Sequence, residues 1–319
     1  MPKKKMRVLV LSGGPSAEHA ISRQSGRMVA DALDRRKYVV ELAIIDRRRK
    51  WHLGGHKGLM TELEALKYCA HRFDVAFLAL HGAYGEDGTI QALLESIRLR
   101  YTGSPVGPSA LAWDKALSNT LMASHGLHIP KWSTVTTLKQ IDSWTSWPAF
   151  VKPMTNGSSI DVFKINEVRQ AKTIVRRLFR RYPRLMVQKY CQGRELTCGV
   201  IEDTHGKPQA LPITEIQPLR RSFFDYYSKY TAGSTRETTP ALLPPSVTRT
   251  IHKQSVLAHR MFGCRGLSRS DFILVGSTPW YLETNTIPGL TKISLLPQEA
   301  VAAGMTFSQL LDAIIRAAL

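Results

Sequence analysis

The first forty-five residues leave the chain few ways to fold. Arg7 to Leu11 (RVLVL) is a short apolar run that ends at Gly13-Gly14. A helical pattern follows from about Ser16 to Leu33, and Val39 to Ile45 reads as a second strand. A strand, a glycine turn, a helix and another strand open an α/β domain with a parallel sheet. Asp74 to Leu80 (DVAFLAL) is a further buried strand, followed by the glycine-rich loop His81 to Gly88 and a helical stretch from Thr89 to Ile97. That loop lies at the carboxyl end of a strand, which is where open α/β sheets bind ligands.

The segment Tyr101 to Pro108 (YTGSPVGP) is rich in Gly, Pro and Ser and marks a first domain boundary. Beyond it the spacing predicts one helix from Ser109 to His125, a hairpin of Trp147–Lys152 and Val162–Ile165 around Pro153 to Ser159, and a basic helix from Val168 to Arg181. Strands are expected at Leu185–Tyr190, Glu195–Ile201, Phe272–Val275 and Trp280–Thr284, with an amphipathic helix from Thr306 to Leu319. The 319 residues suffice for two or three domains.

With 43% hydrophobic and 22% charged residues, the chain can bury ordinary cores. No apolar run approaches the roughly 20 residues of a membrane helix. The basic Met1-Pro2-Lys3-Lys4-Lys5 resembles the start of a signal peptide. The apolar run after it, Val8 to Leu11, is too short for one, so a cytoplasmic protein with no membrane partner is expected. The cysteines at 69, 191, 198 and 264 form no CxxC pair, and indicate neither a zinc site nor a disulfide framework. The formal charge of +19 favours anionic partners in general. Arg176, Arg177, Arg180 and Arg181 recur at helical spacing and read as one exposed face. No zinc-finger spacing or RNA-binding motif accompanies them, so nucleic acid is not an expected partner.

Four groups of residues can carry chemistry. Arg269-Ser270-Asp271 precedes Leu282-Glu283-Thr284-Asn285-Thr286 and Pro288-Gly289. Glu283 and Asn285 share a strand face, and Asp271 can oppose them from a neighbouring strand. Two carboxylates and an amide oxygen suit Mg²⁺ held together with phosphates, although a polar solvent-facing strand has the same pattern. Lys152 before Gly157-Ser158-Ser159 can hold a polyphosphate, or flank an ordinary hairpin turn. Asp225 to Tyr230 can form a lid with a lysine and tyrosines, or a surface loop that buries its aromatics. Glu18 sits near a helix start beside the ligand crevice, where it can serve a ligand or merely complement the helix dipole.

Taken together, the segments GGPSAEHAIS, LHGAYGEDGTIQALLE, YTGSPVGPSALAWDK, VKPMTNGSS, GREL, FFDYYSKY, RSDF and LETNTIPGLTKISLLP resemble the D-alanine–D-alanine ligases of the ATP-grasp superfamily, in order and in spacing. The resemblance implies a Rossmann-like N-terminal domain (1–104) followed by a two-part ATP-grasp fold, with a central α+β part (105–184) and a C-terminal catalytic part (185–319). It implies ATP-dependent ligation of two D-alanines through an acyl phosphate, for peptidoglycan precursors. Two Mg²⁺ ions, replaceable by Mn²⁺, would be held by Asp271, Glu283 and Asn285, and the enzyme would be a homodimer. Glu18, Ser158, Tyr230, Arg269 and Gly289 take the catalytic roles by similarity, while His81, Ser294 and Leu295 take substrate. ATP falls to Lys152, Ser159, Gln188, Lys189, Tyr190, Glu195, Phe223 and Lys229. Tyr230 goes with D-alanine as the second substrate.

Three positions depart from the family pattern, all in the nucleotide half. Asn119 stands where a second lysine is usual, Asp161 replaces the last glycine of a Gly-Ser-Ser-Val-Gly loop, and Gln188 replaces a glutamate. A lost cation and a gained anion are expected to weaken ATP binding, and Asp161→Gly to tighten it. A ligase for another amino-acid pair and a non-catalytic relative are the alternatives.

Overall fold

The structure is a computed structural model that describes residues 4–56, 58–219 and 234–319. Its first sheet is built from β1 (Met6–Gly13), β2 (Tyr38–Ile45), β3 (Trp51–Leu53) and β4 (Val75–Leu78), in the order β3-β2-β1-β4. β1 runs parallel to β2 and β4, as the strand–glycine–helix–strand pattern requires, and β3 is an antiparallel edge. The period of two along β1 divides its side chains between two cores. Val8 and Val10 pack with Val29 and Leu33 near α1 (His19–Ala32) and with the last helix, Phe307–Arg316. Leu9 and Leu11 pack on the other side, against Ala65 and Cys69 of α2 (Glu62–Cys69) and Ile90 and Leu94 of α3 (Thr89–Ser96). Both faces are therefore covered, which explains why the strand is an unbroken apolar run.

The turn after β1 requires glycine for two different reasons. Gly13 and Gly14 both have φ of +89°, and a Cβ on Gly13 would lie 2.2 Å from the Ile45 carbonyl oxygen. The Gly13 N–H donates to Ser22 Oγ (2.7 Å), and Ser22 Oγ donates to the Ala79 carbonyl (2.7 Å). The turn is thus tied to the end of β4, and Glu18 is fixed at the start of α1.

The second sheet is antiparallel, in the order β5 (Trp132–Val135), β8 (Leu185–Lys189), β6 (Ala149–Pro153), β7 (Phe163–Ile165). β6 and β7 form the expected hairpin. α6 (Lys139–Asp142) lies between β5 and β6 in the chain, and α7 (Val168–Leu178) covers one face of the sheet with Ala171, Val175 and Leu178. The arginines of α7 point outward, because the three buried positions already occupy its single apolar stripe. A division of the chain at 184/185 falls just before β8, which is an inner strand of this sheet.

The third sheet runs β12 (Thr235–Thr238), β11 (Thr214–Pro218), β9 (Arg194–Glu202), β13 (Leu267–Val275), β14 (Thr278–Asn285), and β10 (Pro208–Ala210) pairs with β9. Three helices pack on it: α4 (Val106–Trp113), α5 (Lys115–Ser124) and α8 (Pro245–Phe262). The single helix expected over 109–125 is instead two. Asp114 is extended (φ −83°, ψ 109°), and its Oδ1 accepts from Ala116 N (2.9 Å) and Leu117 N (3.1 Å). An aspartate in that role starts a new helix, and it sets Lys115 at the first position of α5. α9 (Leu295–Ala302) follows β14, and α10 (Phe307–Arg316) returns to the first sheet.

Gly13→Ala should lose at least about 2 kcal/mol of unfolding free energy, since it combines left-handed backbone with a clash against a carbonyl. Gly14→Ala, whose Cβ would only touch Leu80 at 3.4 Å, should lose about half as much. Urea titration of the two variants measures the difference.

Candidate active site

One cavity of about 730 Å³ lies where the three sheets meet. Its walls contain Glu18 from the start of α1, His81 and Glu86 from the loop after β4, Gly157 and Ser158 from the β6–β7 loop, and Arg269, Glu283 and Asn285 from β13 and β14. Gly289, Ser294 and Leu295 close it on the side of α9. Nine of the residues expected from sequence therefore line a single space: Glu18, His81, Ser158, Arg269, Glu283, Asn285, Gly289, Ser294 and Leu295.

The β13–β14 pair supplies the charged floor. Arg269 lies opposite Asn285 and Asp271 opposite Glu283, so the four side chains form a two-by-two block. A β-bulge makes this possible. The register shifts between Asp271 and Phe272, leaving Leu282 as an extra residue in β14. Tyr281 and Thr284 both stay buried, although their odd spacing would put them on opposite faces of a regular strand. Glu283 and Asn285 are thereby turned to the same side as Arg269. Arg269 forks onto Asp271, with Nε to Oδ1 at 2.9 Å and Nη2 to Oδ2 at 2.8 Å. Burial opposes the guanidinium charge, but Asp271 outweighs it and holds the group above its ordinary pKa. Thr197 Oγ1 also donates to Asp271 Oδ1 (2.6 Å).

Asp271, Glu283 and Asn285 are all hard oxygen donors on one face. Among the described residues no three His, Cys, Asp or Glu side chains gather as a metal site. The two carboxylates and the amide oxygen suit Mg²⁺, which is usually held by one or two carboxylates completed by water and phosphate.

The opposite wall belongs to the first sheet. Ser158 Oγ donates to Glu18 Oε1, and a Cβ on Gly82 or on Gly157 would come within 3.1 Å of Glu18 Oε2. The two glycines let backbone close around this carboxylate. Ser16 Oγ donates to the His81 carbonyl (2.6 Å), and His81 Nε2 pairs with Ser25 Oγ (3.0 Å). Burial pulls the His81 pKa below its ordinary value. Glu86 receives the Gly82 N–H (2.8 Å), and burial, reinforced by the Glu18 charge, pushes its pKa up to about 8.

Glu86 is a functional candidate that sequence reasoning missed, and Lys115, the first lysine of the pair whose second position is Asn119, was given no role by it. Glu86 lies within the loop that follows β4, and its position in that loop was the available signal. Lys115 Nζ donates to the Asn156 carbonyl (2.6 Å) and stands 3.8 Å from Glu283 Oε2. It joins the acidic floor to the β6–β7 loop, and only the helix break at Asp114 places it there.

Gly289 is required by close approach, since a Cβ there would lie 2.8 Å from Ser294 Oγ. Ser294 precedes α9 without a side-chain cap, and its Oγ is engaged with Thr291 N (3.1 Å) and Thr291 Oγ1 (2.8 Å). The first amides of α9 can therefore receive an anion such as a carboxylate.

The expected nucleotide residues lie outside this lining. Lys152 Nζ donates to Gln188 Oε1 (2.8 Å) between β6 and β8. Tyr190 packs against Phe150, with Lys164 Nζ 3.6 Å above its ring. Lys189 is exposed, Ser159 lies in the β6–β7 loop, and Glu195 is in β9 opposite Ile273. Asn119 is buried beside the Met186 sulfur (3.8 Å). Phe223, Lys229 and Tyr230 lie outside the described residues.

One expectation is corrected. Asp161 does not carry an unbalanced charge into the loop: its Oδ2 accepts from Tyr182 Oη (2.6 Å) and pairs with Arg181 Nη1 (2.9 Å). Ser158, Ser159 and Asp161 all have positive φ (53°, 56° and 58°). Such residues cost roughly 1–3 kcal/mol each and persist only where surrounding contacts hold them.

Comparison with known proteins agrees across the chain. Residues 7–104 match the family profile "D-ala D-ala ligase N-terminus" and residues 121–316 the profile "D-ala D-ala ligase C-terminus". The D-alanine–D-alanine ligase of Syntrophobacter fumaroxidans is 40% identical over 325 residues, covering 100% of this chain and 99% of the relative. The crystal structure of the Bacillus anthracis D-alanine–D-alanine ligase superposes with a TM-score of 0.81 at 32% identity, covering 98% of this chain and 97% of that one. The D-Ala:D-Ser ligase VanG of Enterococcus faecalis reaches a TM-score of 0.83 at 26% identity, covering 99% and 100%.

The raised Glu86 pKa has a stability consequence. Its carboxyl holds a proton in the folded state that the unfolded chain gives up near pH 4.5. Below that pH both states are protonated. Above it the contribution of Glu86 to stability should fall steadily with rising pH until about pH 8, because the folded state holds a proton that the unfolded state has lost. Glu86→Gln, which can still accept from Gly82, should remove this slope. Urea unfolding of both proteins between pH 5 and 8 measures it.

Proposed function

The chain belongs to the D-alanine–D-alanine ligase family, and on that premise we propose that it joins two D-alanines with ATP to give D-alanyl-D-alanine, ADP and phosphate, for peptidoglycan precursors. The observation that carries this reading is the single cavity in which the Arg269 fork, the Glu283–Asn285 pair and the uncapped start of α9 face one another. It can hold two amino acids end to end beside a phosphate.

The first D-alanine lies with its ammonium toward Glu18 and its carboxylate toward Arg269. A carboxylate oxygen attacks the γ-phosphorus of ATP, the bond to ADP breaks, and an acyl phosphate forms. This step needs alignment and charge neutralisation more than covalent help. Lys115 contributes one fixed cation near Glu283. Asp271, Glu283 and Asn285 would hold Mg²⁺, which when bound neutralises phosphate charge. The second D-alanine presents its carboxylate to Ser294 and the first amides of α9, and its free amine attacks the activated carbonyl. The oxyanion that develops is met by Arg269 and by the Gly289 backbone, and phosphate leaves. His81, held neutral by burial, shapes the pocket of the first amino acid without adding charge.

Lys152, Ser159, Gln188, Lys189, Tyr190 and Glu195 make up the nucleotide side in this reading, together with Phe223 and Lys229, while Tyr230 belongs with Glu18 and Ser158 around the first D-alanine. The supporting observation is a position: among the described residues, Lys152, Gln188 and Lys189 lie on β6 and β8 of the second sheet, Ser159 in its β6–β7 loop, and Glu195 on β9 of the third. We take those two sheets as the two parts of the ATP-binding unit, with the division after β8 rather than at 184. No helix among the described residues is long and apolar enough to cross a membrane. A cytoplasmic homodimer is the proposed form, and light scattering on the purified protein tests its stoichiometry.

Purified protein with Mg-ATP and D-alanine should release one phosphate per D-alanyl-D-alanine formed. Phosphate without dipeptide, or dipeptide only when D-serine is supplied as the second amino acid, would overturn the assignment to D-alanine. Arg269→Lys keeps the charge but loses the fork, and should lower kcat about a hundredfold with dipeptide still the product. Steady-state rates of the two proteins give the comparison.

A further inference from the structure

The β6–β7 loop, residues 156–161, is held at both ends. Ser158 is bonded to Glu18 on the cavity side. On the far side Asp161 turns away from the cavity and meets Tyr182 and Arg181, which follow the end of α7. Asn156 closes the arrangement from within. Its Nδ2 lies 3.3 Å from Tyr182 Oη and 3.5 Å from the Ile160 carbonyl, and its Oδ1 accepts the Gly157 N–H (3.0 Å). Lys115 holds the Asn156 carbonyl. Tyr182 is partly buried, and burial followed by its bond to Asp161 pushes its pKa up to about 12, so the phenol keeps its proton and donates at any working pH.

We propose that Asp161 is a positioning residue: with Tyr182 it latches the 156–161 loop in the form that sets Gly157 and Ser158 in the cavity wall, and so prepares the loop for the nucleotide phosphates. The physical reason lies in the backbone. Three of its residues occupy left-handed conformations without being glycine, and such a loop does not keep one shape unless outside contacts fix it. An aspartate tolerates that conformation better than most residues and also supplies the acceptor that a glycine lacks. The latch deepens the ligase reading, on which its link to ATP rests. It also reverses the expectation from sequence: Asp161→Gly should weaken ATP binding, not tighten it.

Asp161→Gly removes the acceptor at a position glycine adopts without strain, and Tyr182→Phe removes the donor. Each should raise the KM for ATP about tenfold with kcat changed less than threefold, and the double variant should resemble either single one. Asp161→Asn keeps an acceptor for Tyr182 and loses only the exposed Arg181 pair, so it should stay within about threefold of the parent. Hydrogen exchange of the 156–161 amides should speed up about tenfold in Asp161→Gly and Tyr182→Phe. An unchanged or lowered KM for ATP, effects that multiply in the double variant, or unchanged exchange would each overturn the latch. If the parent protein makes no dipeptide, the ligase reading fails and loop exchange still decides the latch.

Discussion

Everything in the cavity depends on one buried cation being balanced. Arg269 sits among Asp271, Glu283 and Glu299, with Glu18 and Glu86 across the space. Without the guanidinium the acids could not share one enclosure ionised; without Asp271 the guanidinium could not stay buried. The fork settles this by geometry, since two parallel N–H···O bonds fix the orientation of both partners. The acids without such a partner yield instead. Glu86 takes up a proton, and Glu299, which accepts the Gly199 N–H (2.7 Å), is driven the same way by burial.

The second constraint is that no single sheet makes the site. The first sheet brings Glu18 and His81, the second brings Ser158, and the third brings the charged floor. The bond from Ser158 to Glu18 and that from Lys115 to the Asn156 carbonyl join them. The return of α10 to the core of the first sheet fixes the outer two relative to each other. Strand ends and loops carry the chemistry, and the rigid sheets hold them at the spacing two amino acids require.

Much of this is legible in the order of the residues. Arg7–Leu11 with Gly13-Gly14 reads as a parallel strand and turn because burial on both faces leaves an unbroken apolar run. Glu283 and Asn285 read as one face because strands alternate. Other features are not legible there. The helix break at Asp114 looks like any aspartate within a helical pattern until its carboxylate is seen to cap α5, so nothing local marks Lys115 as a site residue. Asp161 reads as a misplaced charge because Arg181, which balances it, and Tyr182, which donates to it, lie about twenty residues further on.

The sequence by itself determined the order of the elements, the glycine turns and the residue types gathered for phosphate and carboxylate chemistry. Those follow from local rules of periodicity, φ preference and donor hardness, which act within a few residues. The tertiary structure decided which charges face each other, which of them keep their protons, and which side chain holds the 156–161 loop. These depend on distance and burial across three sheets, and electrostatic energies in a low-dielectric enclosure are set by neighbours that the linear order does not place.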